Sequence, residues 1–331
     1  MEKPFPLFRL PRIVIEEVIR IMSPFEIINF AMTSLKSKTL IKSLLTNRRN
    51  SYAELQLNTY KESEISIIGF QVLFECKVTS DKTKDGMREY KEYMETEKIY
   101  TLWIYSENVI DGWMKVVKTV KEIFKFKKHL VRFEIDNFPT QNKSIVDFIK
   151  SLTPSIERCV FEGFAETDED FEYFLNNLNV TEYIEINEEF SDNFKFPQDN
   201  YLEYFSIDPG NWVTFDQLLH LKTCRLFIQG SPLTNYELNQ FLILWMASEC
   251  HQNLNFFAIN ITDPQSLDII FNLPHERINP DVERIGRLPN NDTISLRGEI
   301  DIKRNDGMTA TINFNWREDQ MLLQMVVSRI D

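Results

Sequence analysis

Glycine is scarce in this 331-residue chain, with nine residues, about 3% where ~7% is usual. Phosphate-cradling loops need glycine where backbone must approach a ligand, and neither GxGxxG nor GxxxxGK[ST] occurs. The common nucleotide-binding scaffolds are therefore not signalled, and no cofactor is implied. Cysteine is sparse too: Cys76, Cys159, Cys224 and Cys250 lie far apart and form no CxxC pair. Neither a zinc site nor a disulfide framework follows from such spacing. His129, His220, His251 and His275 share no HxxxH or HExxH spacing, so no metal site is expected. Positive charge is in deficit, since 37 Lys and Arg against 50 Asp and Glu leave −13. That balance opposes binding by phosphate neutralisation, so no nucleic-acid partner is expected. No apolar run approaches the ~18 residues of a membrane span, and Met1-Glu2-Lys3-Pro4 leads into no cleavable leader. These absences place the chain in a reducing compartment, cytoplasm or nucleus, with no membrane partner.

What is present fits a globular chain of about two domains, with 43% hydrophobic and 26% charged residues. One basic stripe stands out: Lys115, Lys118, Lys121, Lys125, Lys127 and Lys128 share a predicted helix of about 111–128 with Val116, Val117, Val120, Ile123 and Phe124. It reads as an ordinary solvated face.

The most informative segment is Pro6 to Leu45. Leu10-Pro11 opens a helix in which Val14, Ile15, Val18, Ile19, Ile21 and Met22 span roughly 160° of the helix surface. A helix serving one core needs a stripe of little more than ~100°. Ser23-Pro24-Phe25-Glu26 then sets a hydroxyl at the N-cap, proline at the first helical position and glutamate at N3, a capping box. That helix runs through Ile27, Ile28, Phe30 and Met32 to a break at Thr33-Ser34, and a third, more basic helix carries Lys36, Lys38 and Lys42. Three short helices cannot bury this much apolar surface by themselves, and a surplus marks either a partner site or a face packed on the chain's own core.

The stretch LPRIVIEEVIRIMSPFEIINFAMTS resembles an F-box, in particular that of the nematode F-box family whose members also carry a type 2 F-box-associated domain. The resemblance implies docking on the Skp adaptor of cullin–RING ubiquitin ligases. Carried over by position, it assigns adaptor contacts to Leu10, Pro11, Ile15, Val18, Ile19, Pro24, Phe25 and Ile28. Leu35 departs from the pattern, which has a basic or polar residue there.

Beyond residue 46 the chain reads as a strand-rich connector to 128. Ile65, Ile67, Phe70, Val72, Phe74 and Val78 predict a half-buried strand, and the charged residues of 79–98 predict a loop. From 129 to 331, strand-like segments centred on Phe133, Val160, Ile184, Phe205, Leu226 and Phe256 recur at leucine-rich-repeat spacing. Capping boxes at Thr214–Gln217 and Thr234–Glu237, and acids after Thr167, mark helices between them. The fold expected is α+β to α/β: a three-helix domain at 1–45, the connector, then a leucine-rich-repeat-like solenoid ending in a β-hairpin at 299–316, where Asp306-Gly307 supplies the tight turn. The segments around Trp212–Leu219, Leu233–Trp245 and Asp301–Ile312 are similar to the F-box-associated domain, which implies capture of an unidentified protein substrate.

No catalytic constellation competes with this reading. Cys250 and His251 are adjacent, whereas catalytic Cys/His pairs meet through the fold, so a buried cysteine beside a surface histidine is expected. Trp212, Trp245 and Phe241 read as core, and the carboxylates of 168–170 and of Glu188-Glu189 as solvated cap and loop groups. The function expected is a non-catalytic substrate adaptor of an SCF-type ubiquitin ligase. A non-ligase interaction scaffold and a hydrolase with a hidden site remain the alternatives.

Overall fold

A computed structural model describes residues 7–45, 51–69, 71–93, 97–163, 168–191, 193–197, 201–281, 283–287, 293–298, 300–317 and 320–328. The chain divides into two compact units, Met1–Pro154 and Ser155–Asp331.

The first unit opens with α1 (Arg12–Ile21), α2 (Pro24–Thr33) and α3 (Leu35–Leu45). There follow β1 (Ser51–Asn58), β2 (Glu64–Ile68), β3 (Val72–Thr79), β4 (Arg88–Tyr93), β5 (Glu97–Tyr105), α4 (Val109–Ile123), β6 (Lys125–Glu134) and α5 (Asn142–Leu152). Its strands lie in the order β6-β1-β2-β3-β5-β4. The β6–β1 and β3–β5 pairs are parallel and the others antiparallel. Alternation sends Leu55, Leu57, Ile65, Ile67, Cys76 and Val78 into the core, with Trp113, Val116, Val117 and Val120 of α4. Gly112 lets α4 approach, because a Cβ there would stand 2.4 Å from that of Ser106. The alternate positions are polar: Glu64 accepts from Asn58 at 2.9 Å and Ser66 at 2.7 Å, and pairs with Lys77 at 3.2 Å.

Three expectations for this unit are corrected. The apolar run from Ile65 to Val78 is two antiparallel strands, β2 and β3, because the chain reverses around Gly69 and Gln71; Phe70 lies outside the described residues. The charged segment 79–98 is not a loop, since Arg88–Tyr93 pair antiparallel with β5 (94–96 lie outside the described residues). Its charges suit an edge strand, where they discourage pairing with another chain. The lysine stripe is divided: α4 ends at Ile123, and Lys125, Lys127 and Lys128 belong to β6.

The second unit runs β7 (Ile156–Glu162), α6 (Glu169–Asn177), β8 (Val180–Asn187), β9 (Leu202–Ile207), α7 (Phe215–His220), β10 (Thr223–Ile228), α8 (Asn235–Met246), β11 (Phe256–Asn260) and α9 (Leu267–Ile270). It closes with β12 (Glu276–Arg277), β13 (Glu283–Arg287), β14 (Thr293–Arg297), β15 (Ile300–Lys303), β16 (Thr309–Arg317) and β17 (Gln320–Ser328). Strands β7 to β11 are parallel in chain order, and β17, β16, β15 and β12 extend the sheet antiparallel. β13 and β14 form a separate hairpin. The fold class is therefore α+β, helices followed by mixed strands and helices. A uniform repeat is not what the second unit builds: no helix joins β8 to β9 among the described residues, and its last third is antiparallel.

Both sequence-read capping boxes of this unit form. Thr214 Oγ1 accepts from Gln217 N at 3.3 Å and Thr234 Oγ1 from Glu237 N at 3.3 Å. Thr167 lies outside the described residues, and the Asp168 carboxylate instead accepts from Ser191, N at 3.2 Å and Oγ closely. Glu188, read as solvated, is buried. Trp212, Trp245 and Phe241 are fully buried beside Phe161, Phe171, Phe174, Phe194 and Phe257.

The β15–β16 turn is built by Asp306 and Gly307, the latter at φ +89°, which glycine adopts without strain. The buried Arg304 donates to both Asp306 oxygens, Nε at 3.0 Å and Nη2 at 2.8 Å, and sits 5.0 Å over the Trp245 ring. Arg304 lowers the Asp306 carboxyl from 3.8 to about 2. The ionised form is thus favoured by folding, so its contribution is complete above the ordinary value and lost as pH falls through the folded one. Asp306→Asn should melt below the wild type at neutral pH, with the gap narrowing between about pH 4 and pH 2. Melting curves across that range check it, and a pH-independent gap would overturn the assignment.

Candidate functional site

The three N-terminal helices owe their form to local signals. Pro11 stands before α1, and Ser23 caps α2: Glu26 N donates to Ser23 Oγ at 3.4 Å while Ser23 N donates to Glu26 Oε2 at 2.8 Å. That backbone bond, with the Ser23 hydroxyl, holds the Glu26 carboxyl below its usual range. Ser34 Oγ accepts from Ser37 N at 3.1 Å and starts α3. The hydroxyl of Ser37 lies 2.9 Å from Thr33 Oγ1 and 2.8 Å from Ser34 Oγ, which fixes the α2–α3 corner.

Packing decides which side of each helix is available. Phe25 of α2 meets Phe74 of β3 edge-on at 5.6 Å. Lys38 and Lys42 of α3 reach Glu122 of α4, at 2.6 and 3.7 Å. Burial raises the Glu122 carboxyl, but Lys38, Lys42 and Lys118 outweigh it and leave it lowered. Of the eight assigned adaptor contacts, Ile15, Ile19, Pro24, Phe25 and Ile28 are buried within the chain. Leu10 and Val18 are half-buried and Pro11 is exposed.

The exposed apolar surface lies elsewhere on the same helices. Ile13 is 69% exposed, Ile21 81% and Leu35 80%, with Val14 also open and, in the turn ahead of α1, Phe8. At ~100° per residue, Ile13 and Ile21 fall about 40° to either side of the point opposite the buried edge formed by Ile15 and Ile19, with Val14 just beyond Ile21. Glu17, paired with Arg20 at 2.6 Å, lies between Ile13 and Ile21 on this side of the helix, and the Arg12–Glu16 pair at 3.1 Å borders it beyond Ile13. The wide apolar arc was the available signal for Val14 and Ile21; Ile13 lies outside that arc, and Leu35 stood out only as a departure from the family pattern.

The second unit offers a cavity of about 440 Å³ lined by Tyr201, Leu221, Thr223, Glu249, Cys250 and His251, among others. His251 is not the surface histidine expected: half-buried at φ +46°, it places Nε2 2.7 Å from the Leu218 carbonyl, and burial lowers its pKa. Burial pushes the Cys250 thiol up to about 11, away from the thiolate a nucleophile needs. Among the described residues no cluster of His, Cys, Asp and Glu could hold a metal ion, and no helix is long and apolar enough to cross a membrane.

Comparison with known proteins agrees with the helical geometry. The F-box domain family matches residues 7–49, and a family described as F-box associated matches residues 185–259. A Caenorhabditis elegans protein, the Skn-1 dependent zygotic transcript 15 protein, is 25% identical over 341 residues, covering 93% of this chain and 94% of that protein. No solved structure matches the chain significantly. Residues 7–49 thus match an F-box and residues 185–259 an F-box-associated family, the pairing found in the nematode F-box family that the sequence resembles.

Proposed function

We propose that this chain is a non-catalytic substrate-recognition subunit of an SCF-type ubiquitin ligase, working in the cytoplasm or nucleus. Its F-box docks the Skp adaptor and, through it, the cullin–RING assembly, while residues 155–331 hold a protein target. In this reading the parallel strands β7 to β11 are a short leucine-rich-repeat-like array presented to that target. The observation that carries the proposal is the exposure of Ile13, Val14 and Ile21 on α1, within residues that match an F-box.

Leu10, Pro11 and Val18, with Ile13, Val14, Ile21 and Leu35, form the proposed contact surface. Ile15, Ile19, Pro24, Phe25 and Ile28 serve it by holding the helices in place. Burying an aliphatic side chain contributes about 1.5–3 kcal/mol, so Ile13, Val14, Ile21 and Leu35 together supply roughly 6–12 kcal/mol by the same measure. Association costs an estimated ~4–15 kcal/mol, so Leu10, Pro11 and Val18 are needed as well. The chain then acts by proximity, raising the local concentration of a target's lysines near charged ubiquitin-conjugating enzyme.

Incubating the full-length chain with purified Skp adaptor and then with cullin–RING, conjugating enzyme and ubiquitin tests the reading. Co-elution with the adaptor and assembly onto the cullin support it. A folded chain that captures no adaptor overturns it and leaves an interaction scaffold.

A further inference from the structure

One row of side chains crosses the face of the second unit's sheet that its helices leave open. Phe161 of β7 packs on Phe171 and Phe174 of α6 at 4.4 Å, and Phe257 of β11 packs on Phe241 of α8 at 4.7 Å. Those contacts identify the helix-covered face, and period-two alternation sends the intervening residues to the other one. There Arg158, Tyr183, Tyr204, Arg225 and Phe256 stand in register on five adjacent strands.

The first four form a continuous stack. Arg158 lies 5.2 Å over the Tyr183 ring, Tyr183 stacks on Tyr204 at 4.9 Å and 27°, and Arg225 lies 4.9 Å over Tyr204. The ring spacing equals the ~4.8 Å between neighbouring strands, so the stack costs the sheet no distortion. Two residues further along β10, Phe227 carries Arg317 of β16 at 5.4 Å.

The charge on this face is unevenly satisfied. Glu185 accepts from the Tyr183 hydroxyl and from Asn187 Nδ2 at 3.0 Å. Asp301 accepts from Thr311 at 2.6 Å and pairs with Arg284 at 3.2 Å, and Glu162 also has its own partner. Arg225 and Arg317, by contrast, meet rings and have no carboxylate partner among the described residues. A guanidinium whose face is covered by a ring keeps its edge N–H groups for bidentate pairing with a carboxylate.

We propose that this open face binds an extended acidic segment of a partner protein, its carboxylates held by Arg225 and Arg317 and its apolar parts laid along Tyr183, Tyr204 and Phe256. As the target-binding side it deepens the ligase reading and rests on it for its role, though binding itself needs no adaptor. A peptide with spaced carboxylates fits better than a nucleic acid, because the two guanidiniums of Arg225 and Arg317 can hold separate carboxylates but are too few to neutralise a continuous run of phosphates.

The test uses the full-length chain without adaptor and three fluorescent probes: a peptide with glutamate at alternate positions, its glutamine counterpart, and an oligouridine. The glutamate peptide is expected to bind about tenfold more tightly than the glutamine peptide at low salt, with the ratio falling as salt rises. Arg225→Glu with Arg317→Glu should abolish that ratio while melting only a few degrees below wild type, from the lost ring contacts, and still capturing the Skp adaptor. Lys115→Glu with Lys118→Glu, on α4, should leave the ratio intact. Equal binding of the two peptides, a ratio unchanged in the arginine variant, loss of the ratio in the lysine variant, or tighter binding of oligouridine would each overturn the proposal. Failure of adaptor capture by the wild type bears on the ligase reading alone.

Discussion

Ile13→Asp with Ile21→Asp should abolish capture of the Skp adaptor while leaving the fold and melting temperature of the chain nearly unchanged. Both side chains are open to solvent on α1, so aspartate there is hydrated and displaces nothing. On docking, the pair would forfeit roughly 3–6 kcal/mol of apolar burial, a factor of at least ~100 in affinity. Desolvating two carboxylates against the adaptor adds to that. The contrasting variant is Ile15→Asp with Ile19→Asp. Those residues face inward, and two buried carboxylates cost several kcal/mol each against a total stability of about 5–15 kcal/mol. That variant should lose adaptor binding because the three helices no longer fold, with helical signal lost in circular dichroism. The measurement is adaptor capture beside a melting curve for each pair. Undiminished capture by the Ile13/Ile21 variant would place the docking surface elsewhere.

The difference between the two pairs shows what the sequence could and could not convey. Helix starts were legible because their causes lie within four residues: Ser23 with Glu26, Thr214 with Gln217 and Thr234 with Glu237 all form the bonds that their spacing implies. The wide apolar arc of α1 was legible as well. Which part of the arc turns inward was not, because α2 and α3 are anchored on β3 and α4 through Phe74 and Glu122, remote in sequence. The lysine run misled for a related reason. Val116, Val117, Val120, Ile123 and Phe124 keep a helical period with the lysines interleaved, and only pairing with β1 turns residues 125–134 into a strand. The open-face row of the second unit was equally hidden: Arg158, Tyr183, Tyr204 and Arg225 are separated by 21 residues or more except where β-registers align them.

Trp113→Ala is the substitution expected to damage the first unit most. The indole is fully buried in the centre of α4, packs on Phe148 of α5 at 5.9 Å, and donates Nε1–H to the Glu64 carbonyl of β2 at 3.1 Å. Truncating a buried tryptophan costs about 3–5 kcal/mol through lost transfer energy and the cavity left behind, and the orphaned carbonyl adds about 1 kcal/mol. The loss extends to function because α4 is also the platform for the F-box: its Glu122 holds Lys38 and Lys42 of α3. A loosened α4 should therefore weaken adaptor capture even though Trp113 lies far from the exposed face of α1 in the sequence and is covered on all sides. Trp113→Phe keeps most of the volume and loses the N–H donor, so it should cost much less and retain capture. Urea denaturation followed by circular dichroism gives the stability of each variant, and capture at a temperature below both melting points gives the function. If Trp113→Ala costs under about 1 kcal/mol, the site has closed around the smaller side chain and α4 is not the rigid platform described. If stability falls as expected but capture does not, the F-box helices hold their shape without α4, and their surface is set by Phe25, Ile28, Ile41 and Leu44 alone.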